Sequence, residues 1–260
     1  MSNLNALNLS LVQTHTHWHD PAANQKMFER WFADIPADTH VVVLPEMFST
    51  GFTMASREVA QLMSGETLNW LAESSASLDK VICGSVVIEE EGTFYNRFVW
   101  QCPDGHREIY DKRHCFRMAD EHKYYSPGSS RLIFEYQGIR ICPMICYDLR
   151  FPVWFRNQGD YDVLLCVANW PAARRDAWNT LLRARAIENQ VYVAGVNIVG
   201  RDGNQVKYSG GSAIYAPDGK VLTELFDNPG MINQTLDMDT LNLLRESFPV
   251  WRDADPFTVG

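Results

Sequence analysis

The stretch Ile-Cys-Pro-Met-Ile-Cys-Tyr-Asp-Leu-Arg-Phe-Pro, at residues 141–152, says most about the fold of this chain. Its apolar first part, 141–145, is typical of a buried strand, and that strand ends at the thiol of Cys146. A helix-compatible segment opens at Phe151-Pro152. A nucleophile at a sharp turn between a strand and a helix is raised from the sheet edge toward substrate. The pattern therefore predicts an α/β protein with a thiol nucleophile.

Two charged residues elsewhere in the chain could activate this thiol. Glu46 ends the run Val-Val-Val-Leu-Pro-Glu, and Lys112 ends the run Glu-Ile-Tyr-Asp-Lys. A carboxylate can accept the thiol proton, and a nearby cation lowers a thiol pKa. Each residue taken alone also has an ordinary explanation, because Cys146 could be a small core residue and the two charges could be solvated. The three have to be judged together.

The composition indicates one folded domain spanning residues 1–260. Hydrophobic residues make up 46% of the 260 residues and aromatic residues 12%, which is enough for a packed core. No Pro/Gly/Ser-rich linker divides the chain. The aromatic residues in the segment 248–260 predict that this C-terminal tail docks on its own domain or on a partner subunit.

Charge and cysteine usage restrict the partners and the compartment. The net charge of −9 argues against nucleic acid or an anionic membrane as the main partner. The six cysteines form no Cys-x-x-Cys pair, and no apolar run approaches the roughly 20 residues that span a bilayer. The N-terminus lacks the pattern of a signal peptide. We therefore expect a cytoplasmic protein with reduced thiols.

Hydrophobic periodicity predicts strands and helices in alternation, with hairpins in the middle and near the end of the chain. The predicted helices are 22–35, 64–79, 174–190 and 240–247, and the predicted strands are 7–13, 39–46, 80–90, 93–102, 108–112, 132–136, 139–145, 162–168, 191–199, 211–216, 221–225 and 231–236. This order favours mixed sheets with helices outside. The polar loop 113–130 is long enough to indicate a functional role.

Three segments together resemble the nitrilase (carbon–nitrogen hydrolase) superfamily, which uses a Glu-Lys-Cys triad. They are Leu-Pro-Glu-Met-Phe (44–48), Tyr-Asp-Lys-Arg-His (110–114) and Ile-Cys-Tyr-Asp-Leu-Arg-Phe-Pro (145–152), in the family's order and spacing. The resemblance extends to Glu121, where the family has a second glutamate, and to the segments 167–171 and 185–190. It implies a four-layer αββα sandwich with two mixed sheets. It also implies a homodimer in which the helix 174–190 and a helix after Cys146 pack across the two-fold axis.

Two segments, Met-Phe-Ser-Thr-Gly-Phe (47–52) and residues 111–122, are similar in sequence to the bacterial omega-amidase (YafV-like) branch of this superfamily. That branch hydrolyses the terminal amide of small 2-oxo acid amides such as 2-oxoglutaramate and 2-oxosuccinamate. Other carbon–nitrogen hydrolases, acting on deaminated glutathione or N-carbamoyl compounds, remain alternatives. Two further alternatives are a non-catalytic binding protein with the same fold and a redox sensor in which Cys142 pairs reversibly with Cys146.

The resemblance assigns roles to the catalytic residues. Cys146 would attack the amide carbonyl while Lys112 favours its thiolate, and Glu46 would carry protons to ammonia and from water. Lys112 and the backbone N–H of Tyr147 would stabilise the oxyanion. Glu121 would hold Lys112 or the substrate. We expect no cofactor and no metal.

A 2-oxo acid amide also needs a group that binds its far carboxylate. Arginine forks match carboxylates, and Arg117, Arg174 and Arg175 are the candidates, with His122 as a weaker one. Phe48, Tyr124 and Trp170 are candidates for the walls of a small pocket, although each could equally be core.

The alternating histidines 15, 17 and 19 could share one face of a strand and thus suggest a metal chelate. They lie where a strand gives way to a loop at Asp20-Pro21, and no acidic or thiol partner is near in the sequence. We therefore do not predict a metal site there.

Overall fold

The computed structural model describes residues 4–258, so the last two residues of the predicted tail lie outside the described residues. In chain order, the strands and helices are β1 (Ala6–Gln13), α1 (Pro21–Phe32), β2 (Val41–Val43), α2 (Ser56–Val59), α3 (Glu66–Leu78), β3 (Val81–Glu90), β4 (Thr93–Gln101), β5 (Arg107–Asp111), β6 (Phe134–Tyr136), β7 (Ile139–Ile145), β8 (Val163–Val167), α4 (Arg175–Asn189), β9 (Tyr192–Val196), β10 (Val199–Arg201), β11 (Lys207–Ser209), β12 (Ala213–Tyr215), β13 (Val221–Glu224), β14 (Gly230–Asp237) and α5 (Met238–Ser247).

Most of the strands form two mixed sheets of six strands each. The first sheet has the order β14-β1-β2-β3-β4-β5, and the second has the order β13-β12-β9-β8-β7-β6. Strands β1, β2 and β3 are parallel neighbours in the first sheet, as β7, β8 and β9 are in the second. Strands β10 and β11 form a separate two-stranded hairpin.

Side-chain alternation along the first sheet builds the layers. Val41 and Val43 point into the core shared with the second sheet, while Val42 packs with the helices on the outer face. Since successive strand residues point to opposite faces, an all-apolar strand such as β2 requires cover on both sides. Residues of α1 and α3 provide that cover through Phe28 and Leu71.

Helix α4 covers the outer face of the second sheet. Trp178 and Leu182 are fully buried on it, and they lie against Gly195 of β9 so closely that a Cβ atom there would come within 3.0 Å of both side chains. Only glycine therefore permits this helix-to-sheet distance. With α1 and α3 on the other side, the predicted four-layer αββα sandwich with two mixed sheets is confirmed.

Two parts of the predicted secondary structure are wrong. A helical segment was predicted to begin at Phe151. Instead, a short 3₁₀ helix spans Cys146–Arg150 and ends before Phe151. Between Arg150 and β8 the described chain contains no further helix. The predicted strand 191–199 ends at Val196, and the hairpin of β10 and β11 was missed because its strands have only three residues each.

The described part of the tail, 248–258, contacts the domain through its backbone. Gln190 donates a hydrogen bond of 2.7 Å from Nε2 to the carbonyl of Phe248. The aromatic rings of Phe248 and Trp251 remain 64% and 45% exposed, so the tail does not bury them on its own domain. Among the helices within residues 4–258, none has both the length and the apolar character that crossing a membrane requires.

Candidate active site

Four residues of the site follow directly on strands of both sheets. Glu46 lies just beyond β2 and Lys112 beyond β5 in the first sheet, while Cys146 lies beyond β7 and Asn169 beyond β8 in the second. The backbone N–H of Asn169 donates to Glu46 Oε2 at 2.8 Å and thereby joins the two sheets. The site therefore lies where the carboxyl ends of these strands meet.

Cys146 occupies a strained turn. Its φ of +47° lies in the left-handed region, which costs free energy for a residue with a side chain. The buried carboxylate of Asp148 holds the turn by accepting hydrogen bonds from Ile145 N at 3.1 Å and from Tyr110 OH at 2.8 Å. Since Tyr110 belongs to β5, the turn that carries the thiol is fixed to the opposite sheet. This is the geometry of a presented nucleophile.

Lys112 lies between two carboxylates. Its Nζ is 2.9 Å from Glu46 Oε1 and 2.9 and 3.0 Å from the two carboxylate oxygens of Glu121. Burial alone would lower the pKa of Lys112, but the charges of Glu121 and Glu46 raise it well above its ordinary value. Lys112 is therefore a fixed cation inside the protein.

The carboxylate of Glu46 is fully buried and held in one orientation. Oε1 accepts from Asn96 Nδ2 at 2.8 Å as well as from Lys112, and Oε2 accepts from the Asn169 backbone. Asn169 Nδ2 also donates to the Glu46 carbonyl at 2.8 Å. A carboxylate with this many donors keeps its position while it exchanges a proton with a neighbouring group.

Glu121 supports Lys112 from the loop 113–130. It is fully buried in a 3₁₀ turn (Glu121–Lys123), and the backbone N–H of Phe116 donates to its Oε2. Burial raises the pKa of Glu121 above its ordinary value, although the charge of Lys112 opposes the shift. The structure thus brings together the four residues predicted to be catalytic.

The surroundings of Cys146 disfavour its thiolate form. Burial and the negative charge of Glu46 raise its pKa well above the ordinary value, and the cation of Lys112 opposes this only in part. Lys112 lowers the thiol pKa, as expected, but the desolvation of the sulfur, which the sequence does not reveal, outweighs the cation. The thiol needs a base at the moment of attack, and Glu46 is the neighbouring one.

A cavity of about 460 Å³ opens above this group. Cys146, Lys112 and Asn169 are among its lining residues, so the thiol can be reached from solvent although it is only 8% exposed. The remaining lining residues come from five segments of the chain: Phe52, Met54, Phe116, Met118, Ala119, Tyr147, Arg150, Trp170, Pro171, Ala173, Arg174, Asp202, Asn204, Val206, Lys207 and Tyr208.

Comparison with known proteins identifies the family. The sequence pattern described as carbon-nitrogen hydrolase matches residues 8–246. The chain belongs to the carbon–nitrogen hydrolase family. The predicted resemblance to this superfamily is confirmed, and so is the prediction of an enzyme that acts on carbon–nitrogen bonds.

Individual carbon–nitrogen hydrolases match this chain over nearly its whole length. Omega-amidase YafV of Escherichia coli is 46% identical, covering 97% of this chain and 98% of the relative. The 2-oxoglutaramate amidase of Bacillus subtilis is 34% identical, covering 94% and 96%. The crystal structure of XC1258 from Xanthomonas campestris, a protein of the same superfamily with an arsenic adduct in its active site, matches with a TM-score of 0.96 and 43% identity, covering 99% and 100%. The resemblance to the omega-amidase branch is thus confirmed.

Of the seven predicted substrate-binding residues, Arg174 and Trp170 line the catalytic cavity and five do not. Tyr124 is 47% exposed and lines a separate cavity of about 260 Å³. Arg117 lines a neighbouring cavity of about 520 Å³, together with His122. Arg175 turns away to donate to the Ser209 carbonyl and to pair with Asp227 at 3.5 Å.

Phe48 does not line the catalytic cavity either. It is 1% exposed and packs against Phe28 and Trp70 in the outer core, with ring centroids 5.8 and 6.1 Å apart. Its place two residues after Glu46 suggested the site, but the backbone turns there and Met47 adopts a positive φ of 43°. The side chain therefore points to the helices, and the prediction for Phe48 is wrong.

Sequence reasoning missed Arg150 and the hairpin of β10 and β11. Arg150 lines the cavity, and its guanidinium carbon lies 5.0 Å from the centroid of the Trp170 ring. Its position in the turn after Cys146 was a usable signal. The hairpin adds Lys207, Asn204 and Asp202, and no local pattern in 199–209 indicated that it would reach the site. Within residues 4–258, no cluster of three or more potential ligands is placed to hold a metal ion.

Proposed function

We propose that this protein is a thiol amidase that hydrolyses the terminal amide of small 2-oxo acid amides, 2-oxoglutaramate and 2-oxosuccinamate. The products would be the 2-oxo dicarboxylate and ammonia. The observation that carries the proposal is the packing of Glu46 and Lys112 beside the turn of Cys146, in a cavity that Arg150 and Arg174 also line. The names of the relatives at 46% and 34% identity support the choice of substrate.

In the first half-reaction, Cys146 Sγ would form a bond to the amide carbon while Glu46 takes the thiol proton. Negative charge would develop on the carbonyl oxygen. The cation of Lys112 and the backbone N–H of Tyr147 would stabilise it, since N–H groups in the first turn of a helix have no acceptor within that helix. The C–N bond would then break as Glu46 returns its proton to the leaving nitrogen, which departs as ammonia.

In the second half-reaction, water would replace ammonia in the same place. Glu46 would take a proton from the water as its oxygen bonds to the thioester carbon, and that proton would return to Sγ when the C–S bond breaks. Glu121 would act by positioning Lys112 through two hydrogen bonds. No cofactor takes part in this scheme.

Arg150 and Arg174 are the proposed ligands of the substrate carboxylate. Both line the cavity, each against an aromatic ring: Arg150 on Trp170, and Arg174 on Phe116 at 5.3 Å. A planar guanidinium stacked on a ring stays available at its edge for a bidentate carboxylate. This arrangement would hold the 2-oxo acid end at the mouth and the amide at Cys146.

We further propose a cytoplasmic homodimer of a single domain, 1–260. All six cysteines are free, as reduced thiols require. Val153, Ile187, Phe248 and Trp251 expose apolar side chains on segments that contact one another, since Arg156 binds the Glu188 carbonyl and Gln190 binds Phe248. Such a patch is typical of an interface. Light scattering of Ile187→Glu beside Leu222→Glu, an exposed control on β13, should give a monomer only for the first.

The catalytic proposal is tested by ammonia release from 2-oxoglutaramate, with Cys146→Ala beside the wild type. We expect release that disappears in the variant. Mass spectrometry of a quenched reaction should show the acyl adduct on the peptide that contains Cys146. Release without Cys146, or no release from 2-oxoglutaramate or 2-oxosuccinamate by the wild type, would contradict the proposal.

A further inference from the structure

Trp18 lies outside the catalytic group but contacts two of the loops that line the cavity, which we call the first and the second wall. It belongs to the run Thr-His-Thr-His-Trp-His (14–19) that follows β1, and no residue of this run lines the cavity. The histidines are not part of a metal-sized cluster in the described chain. The run therefore needs another explanation.

The first wall is the loop that leads from Glu46 to α2. Gly51 adopts φ +76°, and a Cβ atom on it would lie 3.1 Å from Cε3 of Trp18, so this backbone rests on the indole. The next residue, Phe52, lines the cavity, and Lys112 Nζ lies 5.2 Å from the centroid of its ring. Trp18 thus packs behind the side chain that covers the catalytic lysine.

The second wall is the tip of the β10–β11 hairpin. A Cβ atom on Gly203 would lie 2.4 to 2.5 Å from three atoms of the Trp18 pyrrole ring, which means that this backbone also rests on the indole. The flanking residues Asp202 and Asn204 line the cavity. The Asp202 carboxylate accepts from Asn204 N at 2.8 Å and from Tyr208 OH at 2.9 Å, so the tip is held together by its own hydrogen bonds.

His19 fixes the indole between these walls. Its ring stacks on Trp18 with 4.4 Å between centroids and 15° between planes. Its Nε2 hydrogen-bonds to Thr53 Oγ1 at 2.9 Å, and its backbone N–H donates to Thr50 O at 3.0 Å. The orientation of Trp18 is therefore set by the first wall, and the position of the second wall follows from it.

We propose that Trp18 is a positioning residue that sets the separation of the two cavity walls and thereby the fit of the substrate's non-reacting end. Glu46, Lys112 and Cys146 lie just beyond strands of the two sheets, whereas both walls are loops that contact this brace. Loss of the brace should weaken substrate binding without disturbing the thiol. The inference rests on the proposed amidase function only for its choice of substrate.

The test is a double-mutant cycle of Trp18→Ala and Gly203→Ala, measured as KM and kcat for 2-oxoglutaramate. Gly203 has no positive φ, so alanine fits its backbone and its effect comes from the contact with the indole. Either single change should raise KM about 10-fold with kcat little altered, because a misplaced wall weakens binding. Gly203→Ala should have almost no further effect once the indole is gone, since the Cβ then has room.

Three controls separate positioning from a general loss of structure. Trp18→Phe keeps a ring between the walls and should restore most of the lost affinity. Trp31→Ala removes a partly buried indole from α1, away from the cavity, and should leave KM unchanged. The rate at which iodoacetamide alkylates Cys146 should not fall in any of these variants.

Additive effects of the two changes, an unchanged KM, or alkylation that slows together with turnover would each overturn the inference. If the wild type does not release ammonia, the amidase proposal fails separately. The same variants are then compared by the protection that 2-oxoglutarate gives Cys146 against iodoacetamide, which requires no turnover. Equal protection in the wild type and in Trp18→Ala would overturn the positioning role.

Discussion

Glu121 binds the Nζ of Lys112 through both carboxylate oxygens, at 2.9 and 3.0 Å, from a loop that belongs to neither sheet. Lys112 itself follows β5 of the first sheet, and its other partner, Glu46, lies just beyond β2 of the same sheet. The cation is therefore held from two independent parts of the fold. This relationship makes the position of Lys112 depend on the loop 113–130.

Glu121→Gln should lower kcat about 100-fold with a much smaller change in KM, because Lys112 then loses one of two carboxylates and no longer points reliably at the oxyanion. Steady-state ammonia release measures both constants. Glu73→Gln, on the exposed face of α3, is the matched control and should behave as the wild type. A large rise in KM at constant kcat would instead mean that Glu121 acts mainly on the substrate.

The pH dependence of alkylation should report the raised pKa of Cys146. Because burial and the charge of Glu46 raise that pKa, the rate with iodoacetamide should still be increasing at pH values above those at which an exposed cysteine has reached its plateau. Glu46→Gln removes a negative charge and should move the profile to lower pH. Lys112→Met removes the opposing cation and should move it to higher pH.

These two shifts in opposite directions are the decisive observation, because a mere change in access would move all rates alike. Turnover should fall in both variants. In Glu46→Gln the thiol should therefore be alkylated at lower pH than in the wild type, while ammonia release decreases. A profile for Glu46→Gln that moves to higher pH would show that the carboxylate does not act on the thiol through its charge.

The layers of the fold and the catalytic group were predictable from the sequence because both depend on short local patterns. The alternation of apolar residues around Val42 requires cover on two faces, and Glu46, Lys112 and Cys146 each end an apolar or alternating run. Residues at strand ends of like direction meet at one edge. The local pattern placed each of the three at a strand end, and the resemblance to the carbon–nitrogen hydrolase superfamily implied that they share one site.

The substrate-binding residues were less predictable because their positions depend on the conformations of loops. Arg174 and Arg175 are adjacent in sequence, yet the first lines the cavity and the second binds Ser209 and Asp227. The 3₁₀ turn ahead of α4 determines which of the two side chains faces the cavity. A turn of three residues is too short to show a hydrophobic periodicity from which it could be predicted. The thiol pKa was likewise set by burial in the assembled fold, which charge patterns do not reveal.

Asp162 should give the protein part of its stability toward acid. Burial would raise its pKa, but hydrogen bonds from Arg140 at 2.7 Å and Arg245 at 2.6 Å outweigh burial and lower it. A group whose folded pKa is depressed contributes stability above its unfolded pKa, about 3.9 for Asp, and loses it as pH falls through the folded value. The contribution is therefore present at neutral pH and disappears in strong acid.

Urea unfolding at several pH values checks this expectation with Asp162→Asn. The variant should be less stable by about 3 kcal/mol near neutral pH, because two partly buried arginines lose their partner. The difference should shrink as the pH drops below the unfolded pKa. Asp34→Asn, an exposed site, should follow the wild type throughout. A difference that stays constant with pH would mean that the charge of Asp162 is not what stabilises the fold.

Arg150 should contribute to the affinity for the 2-oxo acid end of the substrate. Arg150→Gln is expected to raise KM for 2-oxoglutaramate about 10-fold, because the substrate carboxylate then loses one charge-assisted hydrogen bond at a solvent-accessible position. Arg117→Gln alters an arginine of the neighbouring cavity and should leave KM unchanged. A substrate analogue that carries a neutral amide in place of the far carboxylate should bind the wild type and Arg150→Gln alike. If Arg150→Gln instead lowered kcat for both compounds equally, the arginine would act on the turn that carries Cys146, and the carboxylate would have to be assigned to Arg174 or to Lys207.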